Sequence, residues 1–149
     1  MPTPFVPDDF QVPSGLNVEH FRLDPLGPQH NERDHEAWMS SIEHIRKTPG
    51  FPRGKGDWPS AMSLEKNLAD LDMHAQDFAA RQGFTYSVLV GDEVIGCVYL
   101  YPAKQEGFDV EAASWVKASH AQLDVVLWQT VSTWLSEAWP FKRVEYAPR

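Results

Sequence analysis

The sequence predicts an α+β fold with about five strands and about three helices, because strand and helix patterns follow one another along the chain. The clearest patterns lie in its second half. Two segments of alternating large and small side chains flank the turn residues Gly91-Asp92-Glu93, which predicts a β-hairpin. A third strand pattern and a long amphipathic helix come next. The three strand patterns cover residues 84–90, 94–101 and 108–117.

The helix after the third strand is predicted to begin at Ser119. We expect Ser119 to be its N-cap, with Gln122 as the capping-box partner. Apolar side chains recur at intervals of three and four, so one broad face should pack on the sheet. A strand that runs straight into a helix also creates an anion site, because backbone N–H groups and the helix dipole converge there. The apolar face comprises Leu123, Val126, Leu127, Val131, Trp134 and Leu135.

The first half of the chain supplies the other elements. Residues 16–23 alternate and predict the first strand, while residues 29–47 and 63–82 have helical spacing. Ser63 is the expected N-cap of the second of these helices, and residues 141–146 form a last short strand. The apolar stripe expected on the second helix consists of Leu64, Leu68, Leu71, Ala75 and Phe78.

The domain organisation follows from the distribution of proline. Residues 1–15 contain four prolines and are predicted to form an extended arm, and residues 16–149 to form a single domain. Phe5, Val6 and Phe10 would attach the arm either to its own domain or to a second subunit, which leaves a homodimer open.

The composition excludes several classes of function. A net charge of −8 argues against nucleic acid or an anionic membrane as the main partner, since both bind clustered cations. No apolar run approaches the roughly 18 residues of a membrane span and no signal segment is evident, so a cytoplasmic location is expected. The single cysteine, Cys97, is expected to be a buried, inert thiol. No metal site is predicted, because His30, His35 and His44 lack the spacing of a ligand pair.

This order of elements, with the return strand Val94-Ile95-Gly96, resembles the GNAT N-acetyltransferase family over about residues 16–147. The resemblance implies a three-layer α+β fold with a mixed, mostly antiparallel sheet. It also implies transfer of an acetyl group from acetyl-CoA to an unknown amine, by direct attack on the thioester. Two features depart from the family. Residues 117–124 contain no glycine where the family has a glycine-rich pyrophosphate loop, and no counterpart of its fourth helix and further strands follows, which predicts a truncated fold.

The resemblance also implies where acetyl-CoA would bind. In the family, the pantetheine arm pairs with the fourth strand where the fourth and fifth strands splay apart, and the pyrophosphate sits on the N–H groups of the third helix. A cradle without glycines is narrower, so His120 would either donate to phosphate or occupy its place. The residues carried over are Trp115, Val116 and Lys117 for backbone pairing, and Ser119, His120, Ala121 and Gln122 for the cradle.

The acyl transfer needs a base that takes a proton from the ammonium group of the acceptor, directly or through water. In the family a carboxylate on the fourth strand often serves, which indicates Glu111 and Asp109, two residues apart on one face of the predicted strand. The alternative is that both carboxylates only solvate the start of that strand. Tyr146 is the candidate acid for the leaving thiolate, and Tyr101 is a second phenol near a strand end.

The substrate-binding prediction concerns the longest irregular segment, residues 48–59, which lies where the family covers its acceptor substrate. Phe51 and Trp58 are its expected substrate-binding anchors, and Arg53 and Lys55 its charges. A second hypothesis remains open beside the acetyltransferase. The glycine-free junction also fits a non-catalytic small-molecule-binding or dimerising protein that kept the scaffold and lost the cofactor loop.

Overall fold

The fold is built on one mixed sheet. In a computed structural model, which describes residues 4–51 and 58–149, six strands pair in their order along the chain. All neighbouring pairs are antiparallel except the last, in which β5 and β6 run parallel. The strands are β1 (Leu16–Asn17), β2 (Arg22–Pro25), β3 (Phe84–Val90), β4 (Glu93–Tyr101), β5 (Val110–Val116) and β6 (Val144–Tyr146).

Helices cover both faces of this sheet and confirm the predicted α+β fold. Within the described ranges they are α1 (Asn31–Met39), α2 (Ile42–Arg46), α3 (Leu64–Ala79) and α4 (Leu123–Ala138), with 3-10 turns at Pro28–His30 and Ala118–His120. None of them combines the length and apolar character that crossing a bilayer requires.

Two hydrophobic cores lie on opposite faces of the sheet. The first lies under α4 and confirms the predicted stripe of that helix, since Leu127, Val131, Trp134 and Leu135 are buried and Leu123 and Val126 partly so. The second lies under α1 and includes Trp38 and Trp115. Side chains of β5 alternate between the two: Val110, Ala112 and Val116 pack towards α4, and Ala113 and Trp115 towards α1.

The prediction of one strand over residues 16–23 is wrong, because the chain turns back on itself there. β1 and β2 pair with each other as a short hairpin, closed by the Val18 N–H, which donates to the Phe21 carbonyl at 3.1 Å. Both arms of a hairpin keep the period of two, so alternation alone does not reveal a turn between them.

The single helix predicted over residues 29–47 is also interrupted. α1 ends at Met39 and α2 begins at Ile42, with two serines between them. The Ser40 hydroxyl donates to the Ala37 carbonyl at 2.9 Å, and the buried Ser41 hydroxyl accepts the Ala118 N–H at 2.8 Å. Serine side chains compete in this way with helical backbone bonds, which explains the break.

The start of α3 is predicted correctly, and its buried face is predicted in part. Ser63 caps the helix by accepting the Lys66 N–H at 3.1 Å. Leu64 and Leu68, expected in the core, are 39% and 38% exposed. Leu71 is buried as predicted and Ala75 and Phe78 are partly buried, but the other buried position is Asn67, so a polar side chain also faces inward. The apolar pattern of the sequence cannot predict this inward position, because a pattern based on hydrophobic residues does not include asparagine.

The predicted cap of the last helix is wrong. α4 begins at Leu123 after the 3-10 turn Ala118–His120, and Ser119 lies inside that turn. The Ser119 hydroxyl bonds the His120 imidazole at 3.0 Å, and Gln122 makes no side-chain cap bond. The extra turn displaces the N-cap by three residues, from the predicted Ser119 to Gln122.

The proline-rich arm packs on its own chain. The Phe5 ring stacks on Phe84 at 5.7 Å and on Phe141 at 5.2 Å, and Val6 is buried. The Tyr86 hydroxyl donates to the Pro13 carbonyl at 2.6 Å. Of the two attachments open from the sequence, the structure therefore has the one to the arm's own sheet.

Candidate cofactor cleft and substrate pocket

An opening lies between β5 and β6. The two strands pair only at Val110–Val144, Glu111–Glu145 and Ala112–Tyr146, whereas β5 continues to Val116. Beyond Ala112 the outer edge of β5 therefore has no strand beside it within the described residues. Backbone groups alternate sides along a strand, and the Ser114 carbonyl faces this opening.

The Arg149 side chain occupies this opening. Its guanidinium donates to the Ser114 carbonyl at 2.8 Å and to Asp124, in the first turn of α4, at 2.6 Å. It also donates to the Pro49 carbonyl at 3.2 Å, and its side chain is only 2% exposed. One cation thus links β5, the start of α4 and the segment that leads to Phe51.

Most backbone donors at the entrance to α4 are used inside the protein. The Ala118 N–H bonds the Ser41 hydroxyl, and the His120 and Ala121 N–H groups donate to the Lys117 and Ala118 carbonyls at 2.9 and 3.2 Å. The exposed residues of the predicted cradle are Ser119, Ala121 and Gln122, whereas His120 is half-buried.

Lys117 joins the end of β5 to β4. Its N–H donates to the Ile95 carbonyl at 2.7 Å, and its ammonium group bonds the Glu93 carboxylate at 2.8 Å. This hydrogen bond from Lys117 holds the pKa of Glu93 below its usual value. Of its neighbours, Val116 is buried towards α4 and Trp115 towards α1.

The structure does not bring the predicted carboxylates together. Asp109 precedes β5 and is exposed, and it accepts the N–H groups of Lys142 and Arg143 at 2.8 and 2.9 Å. These bonds lower its pKa and fix the approach to β6. Glu111 instead lines a cavity of about 600 Å³ together with Glu145, on the α1 side of the strand pair.

Tyr146, the predicted acid, lies on the opposite face from Glu111. Its hydroxyl bonds the Ser114 hydroxyl, and its ring lies 6.1 Å from that of Trp128. Burial raises the pKa of Tyr146 to about 12, so the phenol holds its proton more tightly than usual. Tyr101, the cross-strand partner of Glu111 on β4, bonds His74 and Asp77 of α3.

A second cavity of about 480 Å³ lies between α1, α3 and β4. One wall is aromatic, and the Trp58 ring lies 5.5 Å from Trp38, 5.9 Å from Phe51 and 6.1 Å from Trp115. The Trp115 indole donates to the Tyr99 hydroxyl at 3.0 Å. Phe51 and Trp58, the predicted substrate-binding anchors, thus lie side by side in this wall, whereas Arg53 and Lys55 lie outside the described residues.

The other wall of this cavity is polar and contains a buried network. Asp34 accepts hydrogen bonds from the Asn67 amide at 3.1 Å and from the Cys97 thiol at 3.4 Å. The Asn67 oxygen in turn accepts the Trp38 indole N–H at 3.1 Å. Burial raises the pKa of the Asp34 carboxyl and, with Asp34 beside it, the pKa of Cys97, which is buried as predicted.

Solved structures with this architecture are acetyltransferases. RimL, a ribosomal L7/L12 α-N-protein acetyltransferase in complex with coenzyme A, is 14% identical with a TM-score of 0.63 over 82% of this chain and 67% of that one. The microcin C7 self-immunity acetyltransferase MccE, in complex with acetyl-CoA and AMP, is 12% identical with a TM-score of 0.61 over 85% and 67%. A ribosomal-protein-S5-alanine acetyltransferase from Vibrio fischeri is 13% identical with a TM-score of 0.60 over 83% and 68%.

The chain has the GNAT fold. This confirms the predicted resemblance at the level of architecture. No family model matches the sequence, and no curated protein matches it either. The GNAT fold is therefore visible in the arrangement of elements and not in extended sequence similarity.

Several site residues of this GNAT fold were not predicted from the sequence. Ser114, whose carbonyl faces the opening, is not among the predicted pairing residues Trp115, Val116 and Lys117. Arg149 was missed because its partners are 25 and 35 residues away. Asp34 offered a signal, since it lies four residues before Trp38 and so shares a helix face with it.

Proposed function

We propose that this chain is an N-acetyltransferase that takes its acetyl group from acetyl-CoA. The observation that carries this proposal is the parting of β5 from β6 beyond Ala112, next to the start of α4. This is the place where the GNAT resemblance puts the cofactor. It is supported by structures of the same fold whose bound molecules are coenzyme A in RimL and acetyl-CoA in MccE.

The residues at the opening fit this cofactor. The Ser114 carbonyl is an acceptor on the outer edge of β5, suited to an amide of the pantetheine arm. The Arg149 guanidinium lies at the opening and would neutralise phosphate charge, whereas the Lys117 ammonium group at the end of β5 is paired with Glu93 of β4. Arg149 would have to exchange the Ser114 carbonyl for the ligand, while Asp124 keeps hold of it. Acetyl-CoA would supply an acetyl group activated as a thioester.

Glu111 is the residue that would accept the proton of the attacking ammonium group. It pairs with Glu145, one position before the final pair Ala112–Tyr146, after which the strands part. Its side chain lines the cavity on the α1 side. Asp109 is committed to two backbone N–H groups, so in this proposal it is a positioning residue for β6. Tyr146 remains the predicted acid, although its raised pKa of about 12 opposes proton donation.

Cofactor binding is tested by calorimetry with coenzyme A. A ligand at about 100 times its dissociation constant should also add roughly 2.7 kcal/mol to the free energy of unfolding. Ala121→Trp places a bulky ring at the exposed entrance to α4 and should weaken binding at least tenfold, by about 1.4 kcal/mol or more. Ala138→Trp, at the exposed far end of the same helix, is the matched control. No binding by the unaltered protein would favour the non-catalytic scaffold.

Turnover is tested with Glu111→Gln. Removal of a general base should lower amine acetylation by about 10²- to 10⁴-fold and leave the affinity for coenzyme A unchanged. Glu106→Gln, in the exposed segment before β5, should leave both unchanged. If Glu111→Gln turns over normally across the pH range, Glu111 has no part in the proton transfer.

A further inference from the structure

We infer that the aromatic cavity between α1, α3 and β4 binds a primary amine in its ammonium form, carried on an aromatic ring by a short alkyl link. That this amine is the acetyl acceptor rests on the proposed function, whereas its binding does not. The inference follows from the unequal walls of the cavity, which offer a flat apolar surface on one side and an uncommitted carboxylate on the other.

The aromatic wall suits a flat ring. Trp58 lies at its centre and is half-buried, so part of its surface remains open to the cavity. Its ring is within about 6 Å of those of Trp38 and Phe51, and tilted to both by 56° and 55°. Aromatic rings stack on one another in such clusters, and an indole face also attracts a cation. A ligand with both a ring and an ammonium group uses both properties.

The polar wall is supplied by α3, which points Asn67, Asp70 and His74 into the cavity at helical spacing. Asn67 is committed to Asp34 and to the Trp38 indole. His74 shares hydrogen bonds with the hydroxyls of Tyr101 and Thr85 at 2.8 and 3.3 Å. Asp70, half-buried between them, forms no hydrogen bond or ion pair with any residue in 4–51 or 58–149. Its carboxylate is the group left for a ligand.

The charges around the cavity decide the sign of that ligand. Among the lining residues that the structure describes, two carry carboxyl groups, Asp34 and Asp70, and Lys66, which is exposed, is the lysine or arginine. A neutral aromatic ligand would shield Asp70 from water without replacing its solvation, which is unfavourable. An anion would add repulsion in a chain of net charge −8. An ammonium group would replace the lost solvation of Asp70 with an ion pair and would be attracted by the negative charge of the protein.

The cavity also adjoins the opening between β5 and β6. Gly50 lines the Glu111 cavity and Phe51, the next residue, lines the aromatic cavity. On β5, Ala113 lines the former and Trp115, two residues on, contacts Trp58 of the latter. An amine held on the aromatic wall is therefore a neighbour of the proposed base and of the proposed acetyl donor site.

The test measures binding by calorimetry without acetyl-CoA, using 2-phenylethylamine as the probe and 2-phenylethanol as its neutral counterpart. The amine should bind at least about tenfold more tightly than the alcohol. Asp70→Asn should remove most of that preference and leave the alcohol unaffected. Asp72→Asn, on an exposed part of the same helix, is the matched control and should preserve the preference. Trp58→Leu should weaken both ligands, with circular dichroism to verify its fold.

Equal binding of the amine and the alcohol, or a preference that survives Asp70→Asn, would overturn the inference even if Trp58→Leu fails to fold. Two binding measurements distinguish a failure of the acetyltransferase proposal from a failure of the amine-binding inference. If the protein binds coenzyme A but not 2-phenylethylamine, the acetyltransferase proposal stands and this inference falls. If it binds the amine with an Asp70-dependent preference but no coenzyme A, the ligand assignment stands and the acetyltransferase proposal falls.

Discussion

Replacing Arg149 with alanine should destabilise the protein by about 2–4 kcal/mol. Breaking one side of a buried ion pair costs about 3–5 kcal/mol, because the other charge is left without compensation. The Arg149 side chain is 2% exposed, but its partner Asp124 is 18% exposed and would regain some water, which lowers that figure. The Ser114, Pro49 and Ala147 carbonyls lose a hydrogen-bond donor, which increases the destabilisation.

Urea denaturation of Arg149→Ala, Asp124→Asn and the double variant measures this directly. In thermal unfolding, a chain of this size should lose about 5–15 °C in Tm for such a change. Because the two side chains touch, the double variant should lose less stability than the two single losses combined. Lys142→Ala, which removes an exposed cation just before β6, is the control. A loss below about 1 kcal/mol for Arg149→Ala, or additive losses, would refute the reasoning.

Three further changes test the fold and its buried groups by urea denaturation. Trp134→Ala should cost about 3–5 kcal/mol, because it empties the core under α4, and a loss below about 1 kcal/mol would contradict the layering. Gly96→Ala should cost about 1–3 kcal/mol or more, since a Cβ there would overlap the Trp115 carbonyl oxygen; an unchanged midpoint would show that β4 and β5 can separate. The raised pKa of Asp34 means that the folded state holds this proton more tightly than the unfolded state, so its contribution falls as pH rises above the usual carboxyl range. Asp34→Asn should therefore gain stability relative to the unaltered protein as pH rises above about 4, and a constant difference across that rise would exclude the effect.

The parts of the fold that the sequence predicts well depend on local patterns. The hairpin β3–β4 and strand β5 alternate clearly, and the buried face of α4 repeats at helical spacing, so their positions follow from neighbouring residues alone. Ser63 is correct for the same reason, since a cap acts within one turn. These elements are sufficient to suggest the GNAT arrangement before any contact is known.

The parts that the sequence does not predict depend on distant contacts. The break after α1 reflects Ser41 accepting an N–H from residue 118, and the inward position of Asn67 on α3 reflects its bond to Trp38. Arg149 reaches partners on β5 and α4. No local pattern encodes these pairs, because each residue is ordinary in its own segment and acquires its role only after folding.

The structure gives the predicted site residues positions that only partly follow from local pattern. Phe51 and Trp58 lie in one wall of a cavity, because large aromatic side chains in an irregular loop need a surface to pack on, and their contact with substrate stays a prediction. Glu111 and Asp109 were expected side by side, but Asp109 lies before the first residue of β5 and turns to the backbone of the next strand. Side chains two residues apart share a face only inside a strand. Asp109 lies one residue before β5, so it does not share a face with Glu111.

The short pairing between β5 and β6 has a consequence for aggregation. A strand edge without a neighbour can recruit the same strand from another molecule, and the outer edge of β5 beyond Ala112 is apolar and long enough for this. Here a side-chain cation and a phenol, Arg149 and Tyr146, cover Ser114 on that edge. Charged groups on an edge are a common protection against self-association. Arg149 and Tyr146, which close part of the opening between β5 and β6, would therefore also hinder the sheet from pairing with a neighbouring molecule.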